Sequence, residues 1–168
     1  MSNSQSAAVL DRRGFLSAAS LFALGAPTLA AAAADPYAAS PFRKLGDAEW
    51  RKRLPDASYL VLRHEDTERP GSSPLLKEHR KGSFACLGCD LALFTSDTKY
   101  ESGTGWPSFF RAVPGALATK VDFKIGVPRK EYHCARCLGH QGHLFDDGPK
   151  PTGLRYCNNG LALKFIPT

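Results

Sequence analysis

Two Cys-x-x-Cys pairs constrain the fold of this chain more than any other feature of its sequence. Cys86 and Cys89 form the first pair, Cys134 and Cys137 form the second, and residues 90–133 separate them. Two residues between cysteines make a tight turn in which both sulfurs face one point, as in half of a tetrahedral zinc site. The pairs therefore predict one structural Zn²⁺ ion, with iron as the alternative, that ties two distant hairpins together.

The spacing of the pairs leaves two other interpretations open. Residues 90–133 form a longer interval than the roughly 15–20 residues usual between two zinc-ribbon pairs. The four cysteines would then form disulfides in an oxidising compartment, or one pair would act as a redox dithiol. The metal site is favoured, because each pair follows a short predicted strand and resembles half of a zinc ribbon.

A fifth cysteine, Cys157, remains outside the pairs. A lone cysteine is commonly inert packing, but Cys157 is predicted at the end of a strand and before a glycine turn, which favours access. Arg155 lies two residues earlier, on the same predicted strand face, where its charge would lower the pKa of the thiol. Cys157 is therefore a candidate nucleophile.

Two further segments carry candidate functional side chains. His140 and His143 follow the second cysteine pair and suit either general acid catalysis or metal binding. Trp106 occurs in a glycine-rich loop, residues 100–110, which can present its ring to solvent. An aromatic side chain in such a loop belongs either to the core or to a site that stacks on a methylthio group.

Hydrophobic periodicity predicts one short helix near the start of the domain. Asp47 can cap this helix, Trp50 and Leu54 share one face of it, and Pro55 stops it. From residue 59 onward, short apolar runs between Gly, Pro, Asn and Asp are typical of antiparallel strands.

The predicted fold class is mainly β, with two packed antiparallel sheets, a short N-terminal helix and a four-cysteine metal knuckle. Residues 117–125 alternate apolar and polar side chains, which predicts a strand with one buried face. The other predicted strands cover residues 59–63, 83–85, 91–94, 130–133, 154–156 and 161–166.

The N-terminus has the pattern of an export signal. Arg12 and Arg13 precede an uncharged, alanine-rich stretch at residues 17–34, and paired arginines in this position resemble a twin-arginine signal. Cleavage is predicted between Ala30 and Asp35. The chain is therefore expected to reach the periplasm by the twin-arginine route, with no stable membrane association afterwards.

The predicted signal peptide occupies residues 1–34, and the functional domain occupies residues 35–168. The formal net charge is +6, but Lys and Arg are scattered among Asp and Glu rather than grouped into a basic stripe. We therefore expect no nucleic-acid partner.

Several ordered motifs between residues 41 and 165 closely resemble the B-type methionine sulfoxide reductases, which reduce the R epimer of methionine sulfoxide. Besides the two cysteine pairs, the motifs are TERP at residues 67–70, SGTGWPSF at 102–109, HQGH at 140–143, DGPKPTG at 147–153 and RYCNN at 155–159. The resemblance implies a pair of antiparallel sheets with Zn²⁺ on the side away from the active site.

The resemblance also implies roles for individual residues. Cys157 would attack the sulfoxide sulfur while His140 or His143 donates a proton to the departing oxygen, leaving a sulfenic acid and methionine. The other implied roles are the methyl pocket at Trp106, orientation and tuning of the thiolate by Asn159 and Arg155, and support of the histidines by Asp147. The implied partners are oxidised proteins carrying methionine-R-sulfoxide and a thioredoxin-like reductant, and the expected state is a monomer.

The chain departs from the family pattern at three positions. Many relatives carry a recycling cysteine where this chain has Thr104, so an external thiol is expected to regenerate Cys157. Gln141 stands where leucine is common, and Gly160 stands where serine is common.

The sequence is also consistent with two other functions. An exported zinc-ribbon binding module would use Cys157 only structurally and would show no turnover. A thiol peroxidase would also form a sulfenic acid on Cys157, but it would not need an aromatic methyl pocket.

Overall fold

The computed structural model describes residues 35–168, and the predicted signal peptide at residues 1–34 lies outside them. The segment at residues 35–44 contacts the rest of the domain. The Arg43 guanidinium forms an ion pair with Asp35 and donates a hydrogen bond to the Ala135 carbonyl. Neither helix in residues 35–168 is long and apolar enough to cross a membrane.

The predicted N-terminal helix is confirmed as α1 (Asp47–Arg53), but Asp47 is its first helical residue and not its cap, so that detail of the prediction is wrong. Its N-terminus is capped at Gly46, whose N–H donates to the Glu49 carboxylate at 2.8 Å. Trp50 and Leu54 are both buried in the core, as the spacing predicted. The helix therefore buries its apolar face in the core of the domain.

A second helix, α2 (Asp56–His64), replaces the strand predicted at residues 59–63, so that prediction is wrong. The buried side chains include Ser58, Tyr59 and Leu62, whose spacing of three and four residues is that of one helix face. An apolar run this short does not by itself distinguish a strand from a helix.

Nine strands follow in two antiparallel sheets, which confirms the predicted fold class. In chain order they are β1 (Gly82–Cys86), β2 (Ala92–Thr95), β3 (Lys99–Tyr100), β4 (Ser108–Phe109), β5 (Leu117–Asp122), β6 (Arg129–Cys134), β7 (His140–Phe145), β8 (Arg155–Asn158) and β9 (Leu163–Pro167). The smaller sheet has the order β2-β1-β9, and the larger has the order β3-β4-β8-β7-β6-β5.

The strand predicted at residues 117–125 is shorter, and of its predicted apolar face only Leu117 packs on the core. It ends at Asp122 as β5, an edge strand of the larger sheet. Val121, Phe123 and Ile125 are 62%, 66% and 62% exposed, whereas Asp122 is buried. Alternation gives the period of a strand but not which face turns inward, and a buried carboxylate with charged partners can occupy the inner face.

The other predicted strands overlap β1, β2, β6, β8 and β9. The sequence did not predict β7, because its first residues, His140 to Gly142, are polar or glycine although all three are buried. The two-residue strands β3 and β4 were also missed, since so short a segment has no readable period.

Aromatic side chains fill the space between the sheets and hold β8 in place. The rings of Phe94 and Phe109 stack with centroids 4.1 Å apart. Tyr156 of β8 packs edge-on against Phe94 and Tyr132, at 5.7 and 5.4 Å. The Tyr132 hydroxyl donates to Asn158 Oδ1 at 2.9 Å. The strand that carries Cys157 is therefore fixed by packing on one face and by this hydrogen bond.

Candidate active site and metal centre

The four paired cysteines form one buried cluster. Their Sγ atoms all lie within 4.8 Å of one another, and the cysteines are free thiols. The Sγ atoms of Cys86 and Cys137 are 3.6 Å apart, and those of Cys89 and Cys134 are 3.4 Å apart. A tetrahedral zinc shell with bonds of about 2.3 Å places its sulfurs about 3.8 Å apart, so the cluster suits one metal ion.

Hydrogen-bond donors reach two of the four sulfurs. The Gly139 N–H donates to Cys137 Sγ at 3.4 Å, and Gln141 Nε2 donates to Cys86 Sγ at 3.3 Å. Donors aimed at sulfur favour the thiolate, which is the form that binds metal. This chemistry fits the predicted metal centre, whose effect would be structural, since it joins the end of β1 to the end of β6.

Cys157 lies inside β8 rather than at its end, and is half-buried. Ser108 of β4 and His143 of β7 are its direct neighbours on the adjacent strands. Cys157 opens into a cleft of about 120 Å³. The cleft is lined by Thr67, Trp106, Arg129, Gly142, His143, Phe145, Cys157, Asn158 and Asn159.

Gly142 allows β7 to approach β8 closely beside the nucleophile. A Cβ atom at this position would lie 1.9 Å from the Cys157 carbonyl oxygen. Any larger residue would therefore push the two strands apart, and with them the neighbouring His143 and Cys157.

Burial raises the pKa of the Cys157 thiol above its ordinary value. The Arg155 charge and hydrogen bonds from the side chains of Thr104 and Arg155 act in the opposite direction. The predicted influence of Arg155 thus has the right sign but is outweighed by burial. Most of the sulfur is therefore thiol in the free protein at neutral pH.

Asp147 supports Arg155 and not the histidines, so that expectation is wrong. Its two carboxylate oxygens accept from Arg155 Nε and Nη2 at 2.7 and 2.8 Å. Phe145 is the cross-strand neighbour of Arg155, and the guanidinium lies 4.2 Å from the centre of its ring. Because side chains two residues apart share a face of a strand, Asp147 continues the side of β7 that meets Arg155.

Two other carboxylates contact the histidines. His140 Nδ1 lies 3.0 Å from Glu131 Oε1, and His143 Nε2 lies 2.8 Å from Asp122 Oδ2. Burial raises the pKa of Glu131, but the nearby nitrogens of His140 and Lys120, at 3.0 and 3.1 Å from its oxygens, outweigh it and leave the pKa below its usual value. Neither carboxylate was a predicted site residue: Asp122 lies on the polar face of the alternating run at residues 117–125, and no motif contains Glu131.

A bulge brings the two histidines to the same place. Residues three apart in a regular strand point to opposite faces. The pairing of β6 with β7 shifts by one residue between Tyr132 and His133, which leaves Gln141 as the extra residue. The ring centroids of His140 and His143 are consequently 5.5 Å apart. Within residues 35–168, the histidines belong to no group of three or more metal-ligand side chains.

The charge state of His143 depends on its burial and on Asp122. Burial lowers the pKa of His143, and the hydrogen bond with Asp122 offsets part of that effect. The pKa of Asp122 is well below its usual value, chiefly because it accepts from the Lys124 N–H, with further help from His143 and Arg129. Asp122 therefore stays ionised and is available to stabilise a protonated His143.

The loop that begins at residue 67 fixes Trp106 beside the cleft. Trp106 Nε1 donates to the Glu68 carbonyl at 3.1 Å. The buried Glu68 carboxylate accepts from the N–H groups of Gly160 and Leu161 at 2.6 and 3.1 Å. Asn159 Oδ1 accepts from the Glu68 N–H at 3.1 Å. Glu68 therefore holds both the Trp106 indole and residues 159–161, which follow the nucleophile. The sequence had predicted no role for Glu68.

The structure thus brings Cys157, Trp106, Asn159 and His143 into one cleft. His140 lies behind His143, in an adjoining cavity that Asp122 and Glu131 also line. Arg129 and Phe145 complete the cleft although no sequence pattern had marked them.

Comparisons with known proteins agree with these features. The SelR domain model matches residues 54–167. The peptide methionine sulfoxide reductase MsrB of Agrobacterium fabrum is 48% identical over 129 residues, which are 76% of this chain and 96% of that protein. The MsrB proteins of Leptospira interrogans and Bradyrhizobium diazoefficiens are each 48% identical, over 71% and 72% of this chain and 92% and 88% of their own lengths.

Proposed function

The chain belongs to the SelR-domain family of peptide methionine sulfoxide reductases, and from that premise we propose that it reduces the R epimer of methionine sulfoxide, mainly in proteins. The observation that carries the proposal is the shared cleft of Cys157, Trp106 and a carboxylate-paired His143. A nucleophile, an aromatic face and an acid are the three groups that reduction of a methyl sulfoxide needs.

The proposed reaction starts with attack of the Cys157 thiolate on the sulfoxide sulfur. His143 supplies a proton to the sulfoxide oxygen, and Asp122 holds the imidazole in position by its hydrogen bond to Nε2. The oxygen passes to Cys157, so that thiolate, sulfoxide and one proton give a sulfenic acid and the thioether methionine. His140 lies behind His143, with its Nδ1 3.0 Å from Glu131 Oε1, and we propose that it supports the acid from there.

Trp106→Ala is expected to lower kcat/KM for methionine sulfoxide about 5- to 50-fold, because it removes a methyl contact and a sulfur–aromatic contact worth roughly 1–2.5 kcal/mol together. Trp106→Phe is the matched control, since it keeps an aromatic face and loses only the hydrogen bond to Glu68. Steady-state kinetics measure both variants. Unchanged kinetics in Trp106→Ala would place this indole outside substrate binding.

The pH dependence follows from the two pKa shifts in the cleft. The pKa of Cys157 is raised and that of His143 is lowered, so thiolate and imidazolium coexist in only a small fraction of the molecules. Because the pKa of the histidine lies below that of the thiol, the profile of kcat/KM against pH is bell-shaped. Its acid limb reports the pKa of the histidine, and its alkaline limb reports the pKa of the thiol.

Asp122→Asn is expected to move the acid limb of this profile to lower pH. Removing the carboxylate takes away the group that favours the protonated imidazole, so the pKa of His143 falls further. The maximal kcat/KM should fall about tenfold for each unit of added separation between the two pKa values. A pH profile of kcat/KM gives both quantities.

Asp147→Asn is the control for this experiment, because Asp147 contacts Arg155 and neither histidine. Its acid limb should stay in place even if its rate changes. An acid limb that is unmoved in Asp122→Asn, or that moves equally in both variants, would contradict the role of His143.

We also propose how the enzyme is regenerated and where it acts. Four of the five cysteines form the metal cluster, so an external thioredoxin-like thiol would reduce the Cys157 sulfenic acid through a mixed disulfide. The paired Arg12 and Arg13 support export by the twin-arginine route to the periplasm, where the mature protein would act as a monomer.

A stereochemically defined assay tests the proposal. The purified protein is given the R and S epimers of a methionine sulfoxide substrate and, separately, hydrogen peroxide, with a small dithiol as reductant. We expect turnover of the R epimer only. Faster consumption of peroxide would favour a thiol peroxidase, and no turnover of any of the three would favour a binding module.

A further inference from the structure

Gln141 lies between the two histidines in sequence, but its side chain reaches the metal centre. It is completely buried, and Nε2 lies 3.3 Å from Cys86 Sγ and 3.5 Å from the Gly139 carbonyl oxygen. Within the described part of the chain, Oε1 has no hydrogen-bond partner. A buried amide with one end unpaired is costly, so the contact of the other end needs an explanation.

The chemistry of the neighbours fixes which end of the amide faces the sulfur. Cys86 Sγ and the Gly139 carbonyl are both acceptors toward this side chain. Exchanging the two ends would place Oε1 against both acceptors and leave the NH₂ group without one. The amide therefore donates. A neutral thiol is a weak acceptor and a thiolate is a strong one, so this donor suits a metal-bound sulfur.

The backbone holds Gln141 in this position independently of the metal. Gln141 is the extra residue of the β7 bulge, so it has no pairing partner in β6. Its carbonyl accepts from the Asn159 N–H at 2.8 Å and from Asn159 Nδ2 at 3.1 Å. The backbone of Gln141 is therefore already ordered, and only the rotamer freedom of the side chain is lost when it contacts the cluster.

A divalent ion bound by four thiolates carries a net charge of −2, which is unfavourable in a buried site unless donors offset it. The Gly139 N–H donates a hydrogen bond to Cys137 Sγ, and Gln141 Nε2 donates one to Cys86 Sγ. We propose that Gln141 is an outer-shell member of the metal centre, whose hydrogen bond to the Cys86 thiolate retains the ion. The proposal rests on the four-cysteine metal centre and is independent of the sulfoxide chemistry.

Metal release measures this role without reference to activity. Metal content is first determined by mass spectrometry in the wild type and in Gln141→Met, which keeps the length of the side chain but cannot donate. Release to a chromophoric chelator in excess is then followed at neutral pH. Loss of an outer-shell partner typically costs about 10- to 100-fold in metal affinity, and we expect Gln141→Met to release metal faster by that factor.

Phe165→Leu is the matched control for general loosening of the domain. Phe165 is partly buried and packs on Phe84, with ring centroids 5.1 Å apart, and it is not a member of the cysteine cluster. If the two variants have the same thermal stability, Phe165→Leu should release metal much more slowly than Gln141→Met. Equal release rates in these two variants, or a wild-type rate in Gln141→Met, would overturn the proposal, as would a wild-type protein that binds no metal.

A second measurement avoids substitution, in case Gln141→Met does not fold. In wild-type protein loaded with cadmium-113, a hydrogen bond to a ligating sulfur carries scalar coupling between the metal and the donor proton. We expect such coupling at the Gln141 side-chain amide. Metal-loaded protein that shows coupling at Gly139 but none at Gln141 would contradict the proposed hydrogen bond.

Discussion

Cys157→Ser is expected to abolish reduction of methionine sulfoxide, with a fall in kcat/KM of at least about 10³-fold. A serine hydroxyl in the same place is far less ionised than a thiol and forms no sulfenic acid. The fold should survive, because the change replaces one half-buried sulfur atom by oxygen and leaves the metal cluster untouched. Turnover of the R epimer and metal content are measured on the same sample.

Two outcomes would contradict this account. Retained turnover would show that another group is the nucleophile. Loss of metal together with activity would show that Cys157 is part of the metal centre, although its strand places it beside His143 and Ser108 instead.

Cys89→Ser is the same chemical change at the metal centre, and the opposite pattern is expected. One missing thiolate opens the tetrahedral shell, so the ion should be lost. Structural zinc contributes about 10–16 kcal/mol of apparent binding free energy in small domains, which is comparable to the whole stability of about 5–15 kcal/mol. We therefore expect a loss of more than about 5 kcal/mol and unfolding near 37 °C.

Thermal unfolding followed by circular dichroism, with metal content measured in parallel, tests this prediction. Cys157→Ser serves as the matched control, since it replaces a cysteine outside the cluster. A metal-free Cys89→Ser protein with wild-type thermal stability would show that the cluster contributes nothing to folding.

Fold class was predictable because its signals are local and strong. The cysteine pairs predicted the cluster, and Trp50 with Leu54 predicted α1. The helix α2 was missed because a four-residue apolar run, residues 59–62, does not reveal its period. The burial of Asp122 in β5 was missed because it depends on partners in other strands, Arg129 of β6 at 2.6 Å and His143 of β7 at 2.8 Å, which the sequence of a single strand does not encode.

The site was predictable where residues are close in sequence. Cys157, Arg155 and Asn159 share one segment, and HQGH marks the histidines. Their supporting carboxylates were not predictable, because Asp122 and Glu131 reach the histidines only through strand pairing. The family resemblance implied that Asp147 supports the histidines, whereas its carboxylate accepts from Arg155 across the β7–β8 pair.

The central claim is that Cys157 takes the oxygen from the substrate and has no internal thiol to release it. Thr104 occupies the position of a recycling cysteine, with its Oγ1 2.8 Å from Ser102 Oγ, and the other four cysteines form the metal cluster. The sulfenic acid should therefore persist until an external thiol arrives.

A single-turnover experiment tests this claim most directly. The protein is mixed with excess R sulfoxide and no reductant, then treated with a sulfenic-acid probe and mapped by mass spectrometry. The account predicts about one methionine released per enzyme and the probe on Cys157. Cys157 disulfide-bonded to a cysteine of the metal cluster, with metal released, would contradict both the recycling scheme and the purely structural role of the metal.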